Sequence, residues 1–351
     1  MFKINTKLIL LFLFPLLVSS KLLDGLLDLS IVEKLVDEIN GLTGGIWTAE
    51  VNELTRLPLI EQKKLCGTII PEENKNHTQA EPPKVEGTVK GSCSTKIEFD
   101  ARNKWSGCSA IIGHIQDQNP CASCWAVSTA SAYTDRYCIA RLKKGQTTSA
   151  TDAGSQFSAL DILSCSISGD GCNGGWPLSA WNWIKSKGVC TGTDYKTKSG
   201  CKPYPYTPGK PATRLQCKSS CTANWRTTYP KDKHFATNVG GLQGSTATVQ
   251  AIKNEIMANG PVVASMMVYS DFMAYKSGVY FRTANAQKRD GHAVKIIGWG
   301  TQTCNGQNIP FWLIANSWST AWGEKGLFKI RSGVNEVGIE KTGISFGIPK
   351  M

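Results

Sequence analysis

The chain reads as an α+β protein folded in two lobes, with helices in its first half and strands in its second. Ala122 to Arg141 continues without glycine or proline, and its buried and exposed positions alternate as in one long helix. Phe157-Ser158-Ala159-Leu160-Asp161 and Trp181-Asn182-Trp183-Ile184 suggest two more helices. After residue 260 the pattern shortens to β-branched and aromatic runs at Val262–Val268, Gly278–Phe281, Ala293–Ile297, Phe311–Ala315 and Gly326–Ile330. With 351 residues, 41% hydrophobic and 19% charged, the chain has a globular balance that excludes disorder and a multi-pass membrane protein.

The amino terminus has its own character. Lys3 and Lys7 precede an apolar stretch from Leu8 to Val18, which ends at Ser19 and Ser20. This stretch is too short to span a bilayer as a helix and has the order of a secretory signal peptide, residues 1–20. Leu22, Leu23, Leu26, Leu27, Ile31, Leu35 and Ile39 then recur at helical spacing until Gly41, Gly44 and Gly45. Pro71 to Lys90 has linker composition and contains the sequon Asn76-His77-Thr78. Residues 1–94 carry a net charge of −2 and residues 95–351 a net charge of +14. A slightly acidic helical segment ahead of a basic body fits an intramolecular inhibitor, residues 21–94, at least as well as a permanent small domain. Thirteen cysteines suit an oxidising compartment, and the odd count leaves at least one thiol unpaired. Val189 to Tyr229 is rich in cysteine and proline with little periodicity, which marks a functional or disulfide-held stretch.

Three separated phrases carry the chemistry. Asp117-Gln118-Asn119-Pro120-Cys121-Ala122-Ser123-Cys124-Trp125 runs into the long helix. A thiol at a helix start meets the positive end of the dipole and unsatisfied N–H groups. Gly291-His292-Ala293 opens a strand, and Asn316-Ser317-Trp318 follows one. A lone histidine is usually structural and a lone cysteine usually a half-cystine. Here the three phrases together supply what thiol-based peptide hydrolysis needs: nucleophile Cys124, acid/base His292, orienting group Asn316 and oxyanion donor Gln118.

On these phrases the chain resembles the papain family of cysteine proteases, and within it the cathepsin B group. Lys64-Leu65-Cys66-Gly67-Thr68 resembles that group's short propeptide, and Phe99-Asp100-Ala101-Arg102 the start of its mature enzyme. Gly169-Asp170-Gly171-Cys172-Asn173-Gly174-Gly175, Asn259-Gly260-Pro261-Val262 and Tyr275-Lys276-Ser277-Gly278-Val279-Tyr280 extend the likeness. The resemblance implies a papain-like fold, a helical left lobe mainly over 110–235 and a β-rich right lobe mainly over 236–345, with the active-site cleft between them. The mature peptidase would be 95–351, with activation cutting near Gly91–Lys96. Trp318 would shield the His292–Asn316 bond, and Gly174 and Gly175 would hold substrate as an extended strand. Trp176, Pro177, Ser265, Ala293 and Thr342 would line the pocket for the second residue before the cut. The implied disulfides are Cys108–Cys138, Cys121–Cys172, Cys165–Cys217 and Cys201–Cys221. Cys66 and Cys93 would leave with the propeptide, and the pairing of Cys190 and Cys304 stays open. No cofactor and no metal are expected; zinc at Cys217-x-x-x-Cys221 lacks a completing His/Cys pair.

The chain departs from that group in several places. The stretch between Cys201 and Cys217, KPYPYTPGKPATRLQ, has none of the occluding-loop histidines that hold a substrate's C-terminal carboxylate. Endopeptidase action is therefore expected with carboxydipeptidase action weak or lost, unless Lys202, Lys210 or Arg214 supplies the charge. Ala122 and Asn119-Pro120 replace usual loop glycines and serine, so Ala122 would be strained if its φ were positive. Asp290 would favour a charged His292. Thr342 stands where a pocket-floor glutamate is common, which favours apolar or aromatic residues in that pocket.

Two alternatives belong to other classes: a catalytically weak, protease-like binding protein, and a polyanion binder suggested by the basic body. No nucleic-acid motif supports the second. The expected partners are protein and peptide substrates, the chain's own propeptide and, by resemblance, cystatin-type inhibitors. A monomer without a membrane span is expected, in the secretory pathway and then in lysosomes, outside the cell or in a gut lumen.

Overall fold

The computed structural model describes residues 27–72, 80–83, 93–166, 169–210, 212–213 and 215–351. The expected signal peptide, Leu22, Leu23, Leu26, the Asn76 sequon and Arg214 lie outside the described residues.

Helix α1, Leu29–Thr43, is capped by the Asp28 carboxylate on the Ser30 N–H at 2.9 Å and buries Val32, Val36, Ile39 and Thr43. It continues past Gly41 and ends at Gly44, which takes the left-handed conformation at φ 58°. Strand β1, Trp47–Ala49, follows, then two helical turns at Glu53–Arg56 and Leu59–Lys64. Strand β2, Ser94–Asp100, leads into the body. Helix α2, Cys124–Lys143, is buried over most of its length, so an amphipathic stripe is absent. Its buried hydroxyls bond back into the helix: Ser128 to the Cys124 carbonyl at 2.6 Å and Thr129 to that of Trp125 at 2.7 Å. Helices α3, Ala159–Cys165, and α4, Pro177–Lys187, pack beside it.

The rest is mostly sheet: β3 Ala236–Leu242, then α5 Val249–Asn259, β4 Val262–Tyr269, β5 Tyr275–Tyr280, β6 Lys288–Cys304, β7 Gln307–Ala315, β8 Leu327–Arg331 and β9 Ile344–Pro349. The strand order is β1-β5-β8-β7-β6-β4-β9-β3, and β2 pairs with the far half of β6. Strand β6 therefore organises the lobe: β7 runs along one side, while β4 and then β2 share the other. Through β1, the segment ahead of the body adds an antiparallel edge strand to the body's own sheet. A core around Phe272, Tyr280, Phe311 and Trp312 fills this lobe, and a second around Trp125, Tyr133, Phe157 and Trp181 fills the helical one. Buried ion pairs join the two, Asp135 of α2 with Lys295 of β6 at 2.6 Å and Arg136 with Glu255 at 2.9 Å.

Disulfides link Cys108–Cys138, Cys121–Cys172, Cys165–Cys217, Cys201–Cys221 and Cys93–Cys304. The last gives Cys304 its partner: Cys93, at the end of the expected propeptide, is covalently joined to the end of β6. Cys66, Cys124 and Cys190 are free and buried. Cys217 and Cys221 are both disulfide-bonded, so neither offers a thiolate to zinc. Among the described residues no helix is long and apolar enough to cross a membrane. Among its described residues, the stretch from Val189 to Thr228 is irregular, with isolated bridges at Val189 and Thr191.

Candidate active site

Cys124 is the first residue of α2, so its thiol lies at the positive end of that helix. Across the cleft His292 sits on β6, and Asn316 follows β7, the neighbouring strand. The His292 Nε2 lies 2.8 Å from the Asn316 Oδ1, which also accepts the Ser317 N–H at 2.8 Å. The Trp318 ring stacks on the imidazole at 4.7 Å between centroids. The His292 Nδ1 is buried without a hydrogen-bond partner among the described residues. The Ala293 N–H, next in the chain, bonds the Cys124 thiol, which brings the two phrases together. An arrangement of thiol, imidazole and amide can support nucleophilic attack with general acid–base assistance.

Gln118 is fully buried and its amide is fixed: the Ser317 hydroxyl donates to Oε1 at 2.7 Å, leaving Nε2 to donate to the Cys121 carbonyl at 2.9 Å. Nε2 also donates to the Leu65 carbonyl at 3.1 Å, which accepts a second bond from the Trp318 indole at 3.0 Å. The cleft is thus occupied by the chain's own segment. Gly67 N and Thr68 N both donate to the Gly291 carbonyl, at 2.9 and 3.0 Å. Gly175 N donates to the Gly67 carbonyl at 2.9 Å and Ile69 N to that of Gly175 at 3.0 Å. The Thr68 hydroxyl lies 3.4 Å from the Cys124 sulfur. A methyl on Gly67 would fall 2.0 Å from the Ala122 oxygen, so only glycine passes over this loop. Gly174, at φ 114°, and Gly175, whose added Cβ would lie 2.6 Å from the Trp125 ring, form the facing wall.

Burial pushes the Cys124 thiol up to about 11, against lowering hydrogen bonds from Thr68 and from backbone N–H groups. The same burial pulls His292 down to about 4, with Asn316 opposing. Thiol and imidazole are therefore both neutral in the covered state. Asp290 is not among the groups acting on His292; its carboxylate accepts the Gly291 N–H at 2.7 Å and acts on the Cys66 thiol. That corrects the sequence expectation.

Ala122 is buried with ordinary backbone, and the left-handed position of the loop falls instead on Asn119, at φ 54°. Asparagine tolerates that conformation. Its Nδ2 donates to the Tyr206 carbonyl at 3.0 Å, and the Tyr204 hydroxyl donates to the Gln118 carbonyl at 2.7 Å. These two tyrosines, which sequence reasoning did not single out, tie the short Cys201–Cys217 stretch to the loop carrying Gln118. Their only signal was the Pro-Tyr-Pro-Tyr alternation.

A cavity of about 470 Å³ adjoins the cleft, lined by Trp176, Pro177, Leu178, Ser265, Thr342 and Ser345 with Ile69 and Pro71 above, and it holds no charged residue. Ala293, expected there, is not part of its lining; its backbone faces Cys124 instead. Lys202 is buried and ion-paired with Asp161 at 2.7 Å, so it cannot offer charge to a substrate carboxylate. Lys210 is exposed at the loop tip.

Helical lobe, sheet lobe, and a thiol bonded by the N–H next to an imidazole–amide pair define a thiol peptidase, and the comparisons agree. The family model for papain family cysteine proteases matches residues 96–346, and the chain belongs to that family. It is 41% identical over 297 residues to Cathepsin B-like cysteine proteinase 5 of Caenorhabditis elegans, covering 77% of this chain and 80% of that protein. It is 44% identical over 254 residues to the Gut-specific cysteine proteinase of the same organism, covering 70% and 72%. Among solved structures, proCathepsin B S9 from Trypanosoma congolense superposes with a TM-score of 0.71 at 32% identity, covering 91% of this chain and 98% of that one. The chain is a cathepsin B-like cysteine protease of zymogen form, a peptide-bond hydrolase.

Proposed function

We propose that this protease is an endopeptidase whose carboxydipeptidase action is weak or lost. Cys124 attacks the scissile carbonyl; His292 takes the thiol proton and later gives it to the leaving amine. Asn316 holds the imidazole, and Gln118 with the Cys124 N–H receives the oxyanion. Gly174 and Gly175 pair with the substrate backbone, and the uncharged cavity over Thr342 takes an apolar or aromatic side chain. The observation that carries the endopeptidase reading is the set of four histidines. His292 is catalytic, His77 lies in the removable segment, His114 pairs with Asp194 at 3.1 Å and His234 packs between Tyr137 and Phe157. None is left to bind a substrate C-terminus, and Lys202 is consumed by Asp161.

The same reading makes residues 1–20 a signal peptide and the segment from 21 to the approach of β2 an inhibitory propeptide. The enzyme then acts as a monomer of the secretory pathway, in lysosomes, outside the cell or in a gut lumen, and is open to cystatin-type inhibitors.

The test is a side-by-side assay of the activated enzyme on a blocked dipeptidyl amide reporter and on a peptide with a free C-terminus. Cleavage of the first alone, abolished in Cys124→Ala, is the expected result. Efficient dipeptide release from the second would overturn the loop argument, and silence on both would favour a protease-like binding protein.

A further inference from the structure

The segment that blocks the cleft and the strand that begins the body are joined to the protein in different ways. Leu65, Gly67 and Thr68 are held by hydrogen bonds and by the packing of Leu65 into the sheet-lobe core, with no covalent bond. Strand β2 is held by a ladder on β6, from Ser94 opposite Thr303 to Asp100 opposite Gly298, and by Phe99 stacked on Trp299 at 4.4 Å. Immediately before this ladder, Cys93 is disulfide-bonded to Cys304, the last residue of β6. Cys304 is fully buried, so this bond is part of the packed sheet lobe.

We propose that the Cys93–Cys304 disulfide sets the limit of propeptide removal, so that the mature enzyme keeps Cys93 and begins upstream of it. The inference rests on the zymogen reading and deepens it. A protease cuts a segment that it can draw into its cleft as an unpaired extended strand. Between Cys93 and Asp100 that would require breaking the β2–β6 ladder, unstacking Phe99 and pulling against a covalent bond. Upstream of Cys93 no such bond holds the chain between Thr68 and the disulfide, all thirteen cysteines being accounted for. Hydrolysis there consumes one water and frees the inhibitory segment outright. Hydrolysis after Cys93 would leave that segment tethered to Cys304, and its blocking residues would stay at high local concentration over the cleft.

The test uses the full zymogen, activated at mildly acidic pH, with N-terminal sequencing and intact mass measured with and without reductant. The expected product starts before Cys93, and reduction changes its mass only by the hydrogens added to its disulfides. An amino terminus at Ser94 or beyond would overturn the inference, whether reduction released a propeptide fragment or Cys304 proved to be a free thiol. Full activity of the uncut chain would overturn both the zymogen reading and this inference. A Cys304→Ser zymogen separates the disulfide from the strand pairing: trimming is expected to move to or past Cys93. An amino terminus identical to that of the unaltered enzyme would show that the disulfide sets no limit.

Discussion

His292 and Cys124 show how the latent state is kept. Covering the cleft not only blocks it but removes the water that would stabilise a thiolate and an imidazolium. In a Cys124→Ala zymogen the imidazole titrates alone: burial holds it at about 4 while the cleft is covered, and its return to the ordinary imidazole range on opening makes the open state of that variant bind more protons between those values. Acidification through that window should therefore favour opening of that variant by up to roughly 100-fold, whereas in the intact pair His292 gains a proton as Cys124 loses one. Hydrogen exchange along Leu65–Thr68 in an inert Cys124→Ala zymogen, corrected for the intrinsic pH dependence, should rise as pH falls from 6.5 to 4. Opening that does not depend on pH would contradict this account. The candidate quartet of Cys124, His292, Asn316 and Gln118 stands out in the sequence because each residue lies in a local phrase whose order is chemically meaningful. Tyr204, Tyr206 and the true position of Ala293 do not, because they depend on which backbone atoms long loops bring together.

Among the described strands β1 is the shortest, and it anchors the segment ahead of the body. Trp47 is fully buried against Tyr280 and Phe281, and its indole donates to the Phe281 carbonyl at 3.1 Å. Trp47→Ala removes that anchor, worth about 3–5 kcal/mol in a packed core. The variant zymogen should activate at least about tenfold faster than the parent at the same pH, timed by the onset of reporter hydrolysis. An unchanged lag would mean that the cleft contacts alone hold the segment. The five expected strands all exist, yet β6 extends far beyond Ala293–Ile297, from Lys288 to Cys304. Its ends carry Lys, Arg, Asp, Gln and Thr, polar residues that hide a strand from a search for apolar runs, and only pairing with β2, β4 and β7 makes them sheet. Helix α5 was missed for a similar reason, since only Ile252 and Ile256 are buried and its amphipathic signal is weak.

In the molecule as a whole, the lobes meet through buried charge. Asp135 is raised to about 6 by burial even with Lys295 beside it. A carboxyl raised above its unfolded value favours the fold when protonated, and that contribution is lost as pH rises through about 6. Lys295→Met should therefore cost about 3–5 kcal/mol at pH 7, where an unpaired carboxylate is left buried. Much less should be lost at pH 4.5, where Asp135 takes up a proton. Melting temperatures of the variant and parent at the two pH values check this, and an equal loss at both would reject it. The contact between Gly67 and the Ala122 oxygen has a further, genetic meaning. Every missense change at codon 67 adds at least a methyl group where only a hydrogen atom fits. Such alleles should act as dominant gains, since the enzyme would be live as soon as it folds. At codon 175 the added methyl strikes Trp125 within the enzyme itself, and the alleles should be simple losses.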